Sequence, residues 1–211
     1  MTSVTLQDTL EAISLLLNTD SCSRVSGTAV YRMWGKRELH ELTGPPKNIQ
    51  TVEFVVDHEL GTWSETVAGR REGRRYSKDT GQEYLDGAGN LIDDQPQISN
   101  WPLLIKMLNP TKFDIWGRPG DSWRMTGAES TEHGYLLHFG RDTSPATAEL
   151  FIDAAHFSLP IRWSEIHPLG PSSAGKREIE ITAIHVPDTW KRRMGIDMSE
   201  QGEDGAFVAG Q

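Results

Sequence analysis

At 211 residues, with 24% charged and 36% hydrophobic side chains, the chain has the balance of an ordinary globular domain, long enough to bury a sizeable core. No apolar run approaches the length that spans a bilayer, so a membrane span is not expected. The formal net charge of −9 and a sequence pI near 5.2 oppose broad nucleic-acid binding, whose affinity comes from neutralising phosphates.

The first element is a helix. Leu6, Leu10, Ile13 and Leu17 recur at spacings of four, three and four, which sets them on one stripe, and Thr5 with Asp8 makes a weak capping box. The start, "MTSVTLQDTLEAISLLLNTD", has no basic opening and no uninterrupted apolar stretch, so it does not read as a secretory signal. The single cysteine, Cys22, forms no internal disulfide and fits a reducing compartment. A cytoplasmic protein is therefore expected, unless an export segment precedes this sequence.

Strands follow. "GTAVYRMWG" and "RELHEL", joined through Gly35 and Lys36, read as a tight hairpin. "TVEFVVD" places Val52, Phe54 and Val56 on one face. "GTWSETVA", "EGRRYS", "QEYLD" and "GNLID" continue as a meander punctuated by Gly, Asn and Asp. A second helix is expected in "SNWPLLIKMLNP", with Asn100 as N-cap, Pro102 in its first turn, Leu104, Met107 and Leu108 as its stripe, and Pro110 as its stop. Strands then resume in "FDIWG", "SWRMTGAE", "GYLLHFG", "AELFID", "LPIRWSEI" and "REIEITAIHV". Leu150/Ile152, Ile161/Trp163 and Ile179/Ile181 fall on their inward faces. Pro187 to Arg193 suits one helical turn. From Met194 the sequence is glycine-rich, acidic and without period, so residues 1–193 are expected to form one domain and 194–211 a flexible tail.

The stretch "GPSSAGKR" comes within one residue of a phosphate-binding loop: Gly170, four residues, Gly175, Lys176. The motif requires Ser or Thr after the lysine to bind magnesium, and a helix to follow. Here Arg177 holds that position and an alternating β pattern follows, so the stretch reads as a turn. The seven histidines lack metal-site spacing; His40-Glu41 and His58-Glu59 begin a His-Glu-x-x-His pattern without completing it. "GDSW" reads as a turn entering a strand and not as a nucleophile elbow. No catalytic constellation stands out, and neither an enzyme nor a cofactor or metal is expected.

Two features suggest binding. Arg70, Arg71, Arg74 and Arg75 form a basic cluster in an acidic chain: a solvated hairpin rim, or a docking patch for an anionic partner. Seven tryptophans are many for this length, and they either pack the core or line a greasy groove beneath a curved sheet.

Three segments carry a family resemblance: "LQDTLEAISLLL" leading into "SGTAVYRMWG", the repeats "GTWSETVAGRREGRRYSKDTGQEYLDGAGN", and "AELFIDAAHFSLPIRWSEI", in which a proline begins the second strand. Across most of residues 5–185 the pattern resembles the LolA-like lipoprotein-carrier superfamily. The resemblance implies an unclosed β-barrel curled around helices that holds a lipid or acyl chain. Members of that family are usually exported or lipid-anchored, whereas this sequence shows no lipobox cysteine, and no individual ligand residue is carried over.

The expected fold is thus α+β: a strongly curved antiparallel sheet, an unclosed half-barrel, wrapped around two helices. The expected function is non-catalytic binding of a hydrophobic ligand, a lipid or acyl group, between sheet and helices. Val52, Phe54, Val56, Trp63, Trp101, Leu104, Met107, Leu108 and Trp123 are the candidate lining; all nine also suit a filled core. The alternative is a cytoplasmic protein-binding module, of regulatory or immunity type, whose negative charge speeds association with a basic partner.

Overall fold

A computed structural model describes residues 6–95, 101–193 and 207–208. Its centre is one antiparallel sheet. Six strands form the first meander: β1 (Arg24–Glu38), β2 (Asn48–Asp57), β3 (Thr62–Val67), β4 (Gly73–Ser77), β5 (Gly81–Leu85) and β6 (Leu91–Gln95). Five form the second: β7 (Arg124–Thr131), β8 (Gly134–Arg141), β9 (Ser144–Asp153), β10 (Leu159–Pro168) and β11 (Ser173–His185). The order β6-β5-β4-β3-β2-β1-β11-β10-β9-β8-β7 joins the meanders through β1 and β11 and leaves β6 and β7 at opposite ends. The sheet does not close into a barrel, so the curved α+β architecture implied by the sequence is the one observed. A two-residue strand, β12 (Phe207–Val208), pairs with β11 at Ala183 and Ile184, beyond the last β10 pairing at Glu180.

The helices are short. α1 (Leu6–Asn18) packs against β7 to β10, α2 (Leu103–Met107) lies on the β6–β7 connection, and α3 (Asp188–Arg193) follows β11 and buries Trp190. α1 does not use the expected stripe. Leu6, Leu10 and Leu17 are 76%, 58% and 45% exposed, while Ala12 and Leu16 are fully buried. With leucines at 15, 16 and 17 the helix is apolar on more than one side, so period alone does not choose the face. The small Ala12 lets the helix backbone approach the sheet.

Three expectations are corrected. The Gly35–Lys36 hairpin is absent, because β1 runs unbroken to Glu38. Gly35, at φ +67°, sits at a bulge where Trp34 is the extra residue opposite β11, between the Met33–Arg177 and Gly35–Lys176 pairs. "LHELT" is instead a 3-10 turn, and its Leu42 joins Trp34 and Ala174 in a small second core. "FDIWG" is not a strand: Trp116 makes a single bridge to Arg124, while Phe113 and Ile115 plug into the concave core. α2 is shorter than expected and begins after Pro102; Asn100 lies outside the described residues, as does the tail apart from 207–208. Ser173–His185 is strand and Gly170 to Ser172 precedes it as a turn, closed by Leu169 N donating to Ser173 O at 2.8 Å.

The segment from Trp101 to Trp123 therefore fills the concavity. Leu104, Ile105, Met107 and Leu108 show no exposed surface, and Phe113 and Ile115 show almost none. His58 clasps this segment to the start of β1, bridging the Cys22 carbonyl and, at 2.8 Å, the Leu108 carbonyl. Cys22 is shut away beside it, and burial pushes its thiol up to about 11. Native protein at pH 8 should accordingly resist a thiol-specific disulfide reagent, with reaction appearing only as urea unfolds the chain; reaction at the rate of a free cysteine would contradict this packing.

Candidate functional site

Strand alternation sends every second residue toward the helices. The inward set includes Val52, Phe54 and Val56 on β2, Trp63 on β3, Phe139 on β8, Trp163 on β10, and Ile179 and Ile181 on β11. All nine candidate lining residues come together in this single cluster. Phe54, Val56, Leu104, Met107 and Leu108 are at most 2% exposed and form its packed interior. Val52, Trp63, Trp101 and Trp123 lie at its margins and border surface openings. Trp63 stacks on Tyr76 at 6.1 Å and meets Trp101 edge-on at 6.0 Å.

Charged residues interrupt this apolar face in phase with it. Glu65 follows Trp63 by two positions, Glu165 follows Trp163, Arg177 precedes Ile179, and Arg141 follows Phe139. A buried carboxylate is tolerable only when its oxygens are satisfied. Glu165, 3% exposed, accepts from Trp163 Nε1 at 2.9 Å and pairs with Arg177 at 2.6 Å and His167 at 3.0 Å. Glu65, 4% exposed, takes Arg74 at 2.7 Å. Beside it the Tyr31 hydroxyl is shut off from solvent without a well-formed hydrogen bond. Burial first, then the Glu65 charge, hold its pKa well above that of a free tyrosine.

Two adjoining hollows open from this row. The first is a groove of about 410 Å³ whose aliphatic wall comes from Val52, Val67, Leu85 and Ile92. The second is a cleft of about 270 Å³ between the 101–123 segment and the sheet, bordered by Trp101, Lys106, Asp114, Trp123 and Arg141. Tyr31, Arg74 and Arg177 line both, so a groove with one aliphatic wall leads directly to a cleft bordered by four cations. At the cleft rim Lys106 pairs with Asp114 at 2.8 Å. Burial pulls the Asp114 carboxyl up, and hydrogen bonds from Lys106 and Ser122 outweigh it, leaving its pKa below the ordinary value.

The arginine cluster is divided by the fold. Arg70 and Arg71 are exposed on the β3–β4 turn, Arg74 faces the concave side, and Arg75 points the opposite way to pair with Glu83. Sequence reasoning did not single out Tyr31, Glu65, Lys106, Arg141, Glu165 or Arg177 as site residues. For four of them the signal was present: a charge at an inward strand position. Among the described residues, no group of three His, Cys, Asp or Glu side chains is placed to hold a metal ion.

The fold and the hollows define the class: an open, curved antiparallel sheet with short helices on its concave face and an amphipathic trough at their edge. No protein-family model and no curated protein matches the chain. Among solved structures it is similar to an uncharacterized conserved protein from Thermus thermophilus, with 8% identity and a TM-score of 0.46 over 91% of this chain and 95% of that one. It is also similar to MucB, with 15% identity and a TM-score of 0.37 over 96% of this chain and 65% of that one. A third similarity is to the Pseudomonas aeruginosa MucA/MucB complex, with 11% identity and a TM-score of 0.13 over 89% of this chain and 96% of that one. Likenesses this loose leave the functional reading to the chain's own residues. No helix among the described residues is long and apolar enough to cross a membrane.

Proposed function

We propose that this protein is a non-catalytic binding protein for a lipid or acyl group. The acyl part lies along the groove walled by Val52, Val67, Leu85 and Ile92, and the polar part lies toward the cleft. One observation carries the reading: the aliphatic groove and the cationic cleft share Tyr31, Arg74 and Arg177, which gives one continuous surface with an apolar and a polar end. A volume of about 410 Å³ falls within the range of small-ligand pockets.

Native mass spectrometry of freshly purified protein should reveal a discrete lipid-sized mass that disappears on solvent extraction. The extracted protein should rebind dodecanol, and Val67→Glu, which plants a charge on the groove wall, should weaken that binding about tenfold or more. A clean apo mass with no dodecanol retained on titration would sink the reading.

One feature favours a protein-binding scaffold as the second reading. β6 ends the sheet, with no strand on its outer side among the described residues, and its Leu91 and Ile92 are 51% and 66% exposed. An extended peptide can add to such an edge. On this reading Ile92→Lys abolishes partner capture, whereas Val67→Glu does not.

A further inference from the structure

Four cations border the cleft, and three have a carboxylate. Arg74 has Glu65, Lys106 has Asp114 and Arg177 has Glu165, at 2.7, 2.8 and 2.6 Å. Arg141, at the end of β8, has none among the described residues. Its side chain makes no ion pair or hydrogen bond with them, and its Nε is buried without a partner. Its guanidinium instead lies 4.2 Å from the centre of the Trp123 ring. Stacking on an indole fixes the plane of a guanidinium while leaving its two Nη groups to bond in that plane, the arrangement suited to fork-like recognition of a planar or tetrahedral anion. Trp123 is 5% exposed and is itself held by Trp163 at 5.7 Å and His167 at 5.8 Å, so the stack rests on the core. Trp101 also borders the cleft, and its Nε1 is a second buried donor without a partner among the described residues.

We infer that the cleft is an anion subsite in which Arg141, stacked on Trp123, receives the carboxylate or phosphate head group of an amphiphile. The inference rests on the acyl-binding reading for the ligand's tail and on Arg141 alone for its head. The other three cations are neutralised in place and set a rim that admits one further negative charge.

The test compares dodecanoate, dodecyl phosphate, dodecanol and inorganic phosphate by calorimetric titration against the wild-type chain, Arg141→Gln and Val67→Glu, with thermal melts to confirm folding. The two anionic amphiphiles should bind the wild type more tightly than dodecanol. Arg141→Gln should weaken both by about tenfold or more, the loss of one charge-assisted contact, and affect dodecanol, which carries no charge, far less. Binding of inorganic phosphate that depends on Arg141 but not on Val67 would support the subsite with a free anion as its ligand, even if every amphiphile failed and the acyl reading fell. Equal anion binding by wild type and a folded Arg141→Gln, or no anion binding by either, would overturn it.

Discussion

Trp163→Ala should be among the most damaging single substitutions in the protein, lowering the unfolding free energy by about 4 kcal/mol, the range seen for buried tryptophans. Trp163 is fully buried on β10, one strand in from the β1–β11 junction that unites the two meanders. Its ring packs against Phe113 at 5.0 Å, Phe139 at 5.5 Å and Trp123 at 5.7 Å, so it joins the interposed segment to β8 and to the cleft. Truncation leaves a cavity among aromatics that cannot collapse together, and it strips a donor from the buried Glu165 carboxylate. Trp163→Phe separates the two effects: it keeps the ring contacts and loses the N–H, and should cost about 1–2 kcal/mol. Urea unfolding followed by circular dichroism measures both. A loss below about 1.5 kcal/mol for the alanine variant would mean that the interposed segment does not depend on this contact.

Gly27→Ala should cost about 3 kcal/mol or more, although it adds only one methyl group. A Cβ at Gly27 would stand 2.0 Å from the Ala183 carbonyl oxygen and 3.1 Å from Ile184 Cα, atoms of the β11 backbone that cannot swing aside. The position lies at the β1–β11 junction, one residue before the bulge at Thr28/Ala29, and β1–β11 pairing is what unites the meanders. The strain therefore falls on the seam of the sheet. Gly87→Ala is the control, because nothing lies within 4 Å of its Cβ position and its φ is ordinary. That variant should melt within about 0.5 kcal/mol of the wild type. Comparable melting of the two variants would show that the seam can open by the required ångström.

Both predictions, and the Arg141 subsite, turn on features that differ in how far the sequence disclosed them. Alternation determined most of the strands and their inward faces, and Val52, Phe54, Val56, Ile161, Trp163, Ile179 and Ile181 are all buried as their phase requires. The same phase marks Glu65, Glu165, Arg177 and Arg141 as inward charges, and a resemblance of pattern implied the unclosed sheet. Period is a local property, so it reaches as far as a strand and no further. Whether Gly35 turns the chain or merely bulges it depends on whether a distant strand, β11, stands alongside to accept the continued ladder. Which side of α1 is buried depends on the approach of β7 to β10, since the helix offers leucines on several sides. Likewise, Arg74 and Arg177 each meet a carboxylate from the neighbouring strand and Lys106 meets one from its own segment, and only the assembled tertiary structure decides that Arg141 meets an indole instead. The alternation of this chain determined the sheet and the sign of its inward charges. The long-range pairing of β1 with β11, which brings residues some 150 positions apart into contact, decided the concavity, the packed interior and which of the cleft's cations is left to bind.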